Sequence, residues 1–202
     1  MRSFYTAPVL LVIPLVWLSA FVAGRWIGIV PAVGAASALL SLLVLATQGR
    51  SIQVLFRLRV RPLLIGLVAA PLLVAACYAG FAVLAPRLPA LARGTAELYA
   101  RFPERGPAQA VVIVLVVLAE EILWRGALQS ALAPRCGRAT TLGAALVYAL
   151  AHVTAGSLLL VVMALVLGAL WSLLRALTDS LWPPLLTHLA FDLALLFLRP
   201  LQ

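Results

Sequence analysis

The sequence predicts an all-α, polytopic membrane protein with about seven transmembrane helices. Hydrophobic residues make up 65% of its 202 residues, charged residues only 10%, and the mean hydropathy is +1.14. Soluble domains contain about 45–50% apolar residues, and such a fold cannot bury this much apolar surface beneath so few charges. The composition therefore excludes a soluble globular protein, a disordered tail, a collagen and a disulfide scaffold.

Apolar runs of about 20 residues indicate spanning helices. The first run could be a signal peptide, but no convincing cleavage site follows it, which favours a retained helix. The first three runs contain no charged residue, and the fifth is short enough to be packed inside the protein. The predicted helices cover residues 3–24, 26–46, 62–85, 108–132, 139–153, 157–174 and 181–198.

The net charge of +9 comes from fifteen arginines and no lysine. These arginines lie between the apolar runs, where they mark topology and contact lipid headgroups. The alternating segment 50–61 is predicted to lie on the membrane surface, and the mixed segment 86–107 on the opposite one. No basic stripe interleaves with aromatic residues, so the bilayer is the expected partner and nucleic acid is not. Four tryptophans are expected to anchor the membrane interface: Trp17, Trp26, Trp171 and Trp182.

Ionisable side chains inside predicted helices occur only in the last four. A charged residue at a helix centre costs about 2.5–3.5 kcal/mol, so the three in the fourth helix cost roughly 8–10 kcal/mol if unpaired. Groups this costly in lipid are usually functional and need partners on neighbouring helices. The residues concerned are Glu120, Glu121, Arg125, His152, His188 and Asp192.

Helical spacing organises these groups. Glu121 and Arg125 are four residues apart in the order that favours an ion pair, most simply a structural one. Glu120 lies about 100° away around the same helix and can face a different wall. His188 and Asp192 are also four residues apart, a spacing at which a carboxylate can orient an imidazole.

Three short motifs follow one another in the last four predicted helices: Glu120-Glu-Ile-Leu-Trp-Arg125, Tyr148-Ala-Leu-Ala-His152 and His188-Leu-Ala-Phe-Asp192. In this order they resemble the motifs of the CPBP family of CAAX proteases and bacteriocin-processing enzymes. Glu120-Glu-Ile-Leu-Trp-Arg125 resembles the family's EExxxR motif, and His188-Leu-Ala-Phe-Asp192 resembles its His-x-x-x-Asn or Asp motif. Tyr148-Ala-Leu-Ala-His152 stands where the family has FxxxH. Each motif alone is weak evidence for the family, but three of them in this order on three predicted helices are a specific indication of it. The resemblance covers about residues 108–198.

The resemblance implies a glutamic-type intramembrane endopeptidase. It divides the chain into N-terminal helices, 1–107, and a catalytic helical core, 108–202. Glu120 would take a proton from water that His152 positions and polarises, while His188 and the residue at 192 would stabilise the oxyanion. The supporting members of the first motif would be Glu121 and Arg125.

Two positions depart from the family pattern. Tyr148 replaces phenylalanine and adds a hydroxyl that needs a partner. Asp192 stands where the prenyl-protein-processing branch has asparagine. Because an ionised aspartate cannot donate a hydrogen bond, Asp192 is assigned to holding His188 as the donor, unless Asp192 is itself protonated and donates to the oxyanion. The expected substrate is a membrane protein or a lipidated peptide, and CAAX tails, bacteriocins and sorting tails all remain open.

Other interpretations remain open as well. A zinc protease would use Glu120, His152 and His188 as ligands, although no HExxH is present; otherwise no metal or cofactor is expected. A membrane chaperone, immunity or scaffold protein could retain the motifs without catalysis, and a proton-coupled transporter is a weaker option. The predicted location is a prokaryotic inner membrane. The sequence does not determine the oligomeric state or the membrane face to which the active site opens.

Overall fold

The computed structural model describes residues 6–101 and 106–201, and this part of the chain is helical without a β-strand. The predicted start of the first helix at residue 3 lies outside it. Short 3₁₀ turns at Gly137–Ala139 and Val153–Ala155 flank α7. The helices are α1 (Thr6–Ile27), α2 (Ile29–Leu55), α3 (Val60–Leu84), α4 (Pro89–Ala100), α5 (Pro107–Glu120), a π-helix (Glu121–Leu128), α6 (Gln129–Cys136), α7 (Thr140–Ala151), α8 (Leu158–Thr178), α9 (Trp182–Leu193) and a second π-helix (Ala194–Leu198).

The predicted fold class is confirmed. Each predicted helix has a counterpart, with α5, the first π-helix and α6 forming the fourth and α9 with its π-helix the seventh. Four helices, α1, α2, α3 and α8, are long and apolar enough to cross a membrane. The protein is therefore a polytopic helical membrane protein. The fourth, fifth and seventh predicted helices contain the ionisable residues.

Two segments contain helix that the sequence pattern did not predict. The first half of segment 50–61 continues α2 to Leu55, with Ile52 and Leu55 buried in the protein, and its place on the membrane surface stays a prediction. The mixed segment 86–107 contains α4, a helix that the sequence pattern did not predict. Proline at its first position favours this start because its fixed φ suits a helix N-terminus.

One hydrophobic core joins the N-terminal helices to the motif-bearing ones. It extends from Trp17 on α1 and Leu40 on α2 to Leu123 and Trp171. In addition, α3 packs along α9 and α7 along α8. The division into 1–107 and 108–202 stays a prediction, since both parts contribute to this core.

Gly66 permits the close approach of α3 to α9. A Cβ added there would lie 3.0 Å from the Cα of Pro183 and 2.9 Å from Leu186 Cδ1. We expect Gly66→Ala to lower the free energy of unfolding by about 1–3 kcal/mol. The added methyl group would meet the backbone of α9, which can give way only if the two helices move apart. Equilibrium unfolding in detergent measures this. Gly49→Ala on α2, with nothing within 4 Å, is the matched control, and an equal effect of both would contradict the prediction.

Candidate active site

The first motif lies where a continuous helix changes its winding. Glu120 is the last residue of α5, and Glu121 begins the eight-residue π-helix that contains Arg125. All three side chains are buried. Such π-helical insertions are rare and occur frequently at functional sites.

Glu121 is the centre of a buried charge network. Its Oε1 accepts hydrogen bonds from Arg125 Nη1 at 3.3 Å and from His188 Nδ1 at 2.8 Å. The Arg125 guanidinium also lies over the Tyr148 ring, 4.4 Å from its centroid, and near the Trp171 ring at 5.1 Å. Glu121 therefore pairs with the arginine of its own motif and orients the histidine of the third motif.

Glu120 lies on a different wall, as the spacing predicted. Its Oε2 accepts a hydrogen bond from the Tyr148 hydroxyl at 2.5 Å. Its Oε1 accepts none from any residue in the described part of the chain. Glu120 lines a cavity, whereas Glu121 is sealed inside the protein. The hydroxyl of Tyr148, the residue that departs from the FxxxH pattern, is therefore hydrogen-bonded to the candidate base Glu120.

His152 follows the end of α7 directly. Its Nδ1 lies 2.7 Å from the Tyr148 carbonyl oxygen. A carbonyl only accepts, so Nδ1 carries the hydrogen and the neutral ring keeps its lone pair on Nε2. The ring packs beside Phe21 and Tyr148, with centroids 5.2 and 4.5 Å away. These contacts fix both the tautomer and the orientation of His152.

Two arginines hold the turn after His152. Arg25, from the end of α1, donates to the carbonyl of Thr154 at 3.2 Å. Arg101, from the end of α4, donates to the carbonyls of Ala155 and Gly156. Gly156 has a φ of +70°, a conformation that other residues adopt only with strain. The position of His152 therefore depends on α1 and α4, which lie outside the motif-bearing segment.

Asp192, which the sequence assigned to holding His188, lies within ion-pair distance of the ring but makes no hydrogen bond to it. Asp192 Oδ2 lies 3.8 Å from His188 Nε2, too far for a hydrogen bond, while Nδ1 is bonded to Glu121. The ring is also stacked on Trp171, with centroids 3.7 Å apart. Glu121 and Trp171, from two other helices, orient His188. The role of Asp192 stays a prediction.

The four candidate catalytic side chains line one cavity of about 360 Å³. They are Glu120, His152, His188 and Asp192. The remaining wall is largely apolar and extends past the end of α3, the start of α2 and the first half of α8. Leu91, Thr95 and Leu98 of α4 also line the cavity. The cavity thus combines four ionisable side chains with a largely apolar wall.

Sequence reasoning missed two tryptophans of the site. Trp17 and Trp171 are fully buried against His152 and His188, so their assignment as interface anchors is wrong. Trp26 is 77% exposed, as expected of a lipid-facing residue. The burial of the first two depends on helix packing, which no local pattern in the sequence reports.

Residues 6–101 and 106–201 contain no group of three or more His, Cys, Asp or Glu side chains arranged to hold a metal ion. The Nδ1 atoms of His152 and His188 are both engaged by protein oxygens.

A family model agrees with the resemblance. Residues 106–194 match the family described as "Type II CAAX prenyl endopeptidase Rce1-like", a segment a little under half of the chain. This match contains all three motifs and confirms the predicted resemblance to CAAX proteases over that segment. No curated protein and no solved structure matches the chain. The family indicates an endopeptidase that acts at the membrane.

Proposed function

We propose that this protein is an intramembrane endopeptidase in which Glu120 activates water to hydrolyse a peptide bond. The observation that carries this proposal is the cavity, because Glu120, His152 and His188 all line it and the rest of its wall is largely apolar. Peptide hydrolysis needs a base, a positioned water and a donor for the developing oxyanion. Glu120, His152 and His188 have the chemistry for these tasks without a serine or cysteine nucleophile.

In the proposed step, Glu120 Oε1 takes one proton from water while His152 Nε2 accepts a hydrogen bond from the other O–H, whose hydrogen stays on the attacking oxygen. The water oxygen attacks the carbonyl carbon and forms a tetrahedral oxyanion. Glu120 then returns its proton to the leaving amine nitrogen as the C–N bond breaks. A carboxylic acid and an amine are released, and no metal or cofactor is needed.

The proposed oxyanion donor is His188 Nε2. Nδ1 is engaged with Glu121, so Nε2 can donate only when the ring is doubly protonated. The carboxylates of Glu121 and Asp192 stabilise that charged ring. Asp192 thus contributes through charge, which explains how an acidic residue can stand where a relative has asparagine.

The proposed substrate is a membrane-embedded or lipid-tethered protein, cleaved in a prokaryotic inner membrane. An extended segment with apolar side chains, or a lipid chain, suits the apolar wall of the cavity. CAAX-type trimming, bacteriocin processing and sorting-tail cleavage all present such a segment.

The test compares the membrane proteomes of cells carrying wild-type protein or Glu120→Gln at equal expression. We expect a discrete set of precursors to keep a terminal segment only with Glu120→Gln. Glu97→Gln, an identical change at an exposed residue of α4, should process these precursors normally. Identical proteomes under conditions where deletion has a phenotype would favour a non-enzymatic membrane protein. Zinc bound stoichiometrically and required for activity would favour the metalloprotease.

A further inference from the structure

Tyr148 connects the two residues that would activate water. Its side-chain hydroxyl donates to Glu120 Oε2 at 2.5 Å, and its backbone carbonyl accepts from His152 Nδ1 at 2.7 Å. Each bond leaves the opposite atom, Glu120 Oε1 or His152 Nε2, as the remaining acceptor of its group. One residue therefore sets the orientation of both side chains.

The partner of this hydroxyl distinguishes Tyr148 from two other tyrosines near the cavity. The hydroxyls of Tyr78 and Tyr99 donate to backbone carbonyls at the C-terminal end of the chain. These bonds join a tyrosine side chain to the backbone, whereas the Tyr148 bond is charge-assisted and fixes a carboxylate. A carboxylate held at one oxygen can rotate little, so the direction of the other oxygen is set.

The Tyr148 ring is itself held by close packing. It contacts Trp124 edge-on, with centroids 5.1 Å apart, and carries the Arg125 guanidinium on its face. Gly168 of α8 also lies against the ring, because an added Cβ there would stand 2.8 Å from Tyr148 Cδ1. The hydroxyl therefore reaches Glu120 from a ring that cannot easily move.

We propose that Tyr148 is a positioning residue whose hydroxyl holds Glu120 so that its second oxygen faces the water shared with His152. This inference rests on the proposed peptidase function. It assigns a task to the tyrosine by which this chain departs from the FxxxH pattern. The hydroxyl itself exchanges no proton with substrate.

Tyr148→Phe tests the proposal, because it removes the hydroxyl and keeps every ring contact. With a membrane-anchored peptide substrate, we expect kcat to fall about 10- to 100-fold with KM unchanged, the size of effect that misplacing a catalytic group produces. Tyr78→Phe, which removes a hydroxyl bonded to backbone carbonyls outside the cavity lining, should keep both parameters. Thermal unfolding of the two variants should be alike.

A second measurement separates positioning from other roles. If Tyr148 acts through Glu120, Tyr148→Phe should cause no further loss in a Glu120→Gln background. An unchanged kcat, an effect on KM alone, or a further loss in that background would each overturn the proposal. Should Glu120→Gln itself cleave at the wild-type rate, the peptidase proposal fails. If Glu120→Gln is inactive while Tyr148→Phe is fully active, the peptidase proposal stands and only the positioning role of Tyr148 is disproved.

Discussion

Replacing Glu121 by glutamine is expected to lower the free energy of unfolding by about 3–5 kcal/mol. The carboxylate accepts from Arg125 and His188 in a site closed to solvent. Its loss leaves the Arg125 guanidinium buried without a counter-charge. The resulting destabilisation is far larger than the net stability that the intact ion pair provides. Equilibrium unfolding of the purified protein in detergent measures the change.

Two further variants test the cause of this loss. Removing both charges, in Glu121→Gln with Arg125→Met, should recover a substantial part of the stability because no unpaired charge remains. Asp179→Asn is the control, since Asp179 pairs with Arg175 at the same spacing and 2.8 Å but is 72% exposed. Its effect should stay within about 1 kcal/mol. Equal losses in Glu121→Gln and Asp179→Asn would contradict the prediction.

Glu120 and His152 are expected to act as one catalytic unit. Glu120→Gln or His152→Asn alone should each lower kcat/KM by about 10²–10⁴-fold, the usual contribution of a positioned acid or base. Asparagine can still donate to the Tyr148 carbonyl but lacks the Nε2 acceptor. Rates with a membrane-anchored peptide, measured against the exposed control Glu97→Gln, give these ratios.

The double variant is the sharper measurement. If both residues activate the same water, removing either one already abolishes that activation. The double variant should therefore lower kcat/KM no further than the more damaging single substitution. Losses that multiply would indicate that His152 acts in a separate step from Glu120. That result would leave Glu120 as the base and assign His152 to a different task.

The hydrogen bond between Tyr148 and Glu120 depends on a hydroxyl that phenylalanine lacks. The pair in this chain joins residues that are 28 positions apart on two different helices. A substitution at either position therefore has to be interpreted together with the other.

The sequence by itself predicted the fold class, seven of the helices and the ionisable residues that line the cavity. Apolar runs and helical spacing are local properties, so they located Glu120 and Glu121 on different walls and paired Glu121 with Arg125. Three motifs in order then indicated the family, which the match over residues 106–194 supports.

Only the tertiary structure decided which partners meet across helices. The spacing rule suggested Asp192 as the partner of His188, yet the ring bonds to Glu121, 67 positions away. The tertiary structure also decided the partner of the Tyr148 hydroxyl, the burial of Trp17 and Trp171, and the contribution of α4 to the cavity wall. These contacts depend on how closely and at what rotation helices pack, which the periodicity of each separate helix does not specify.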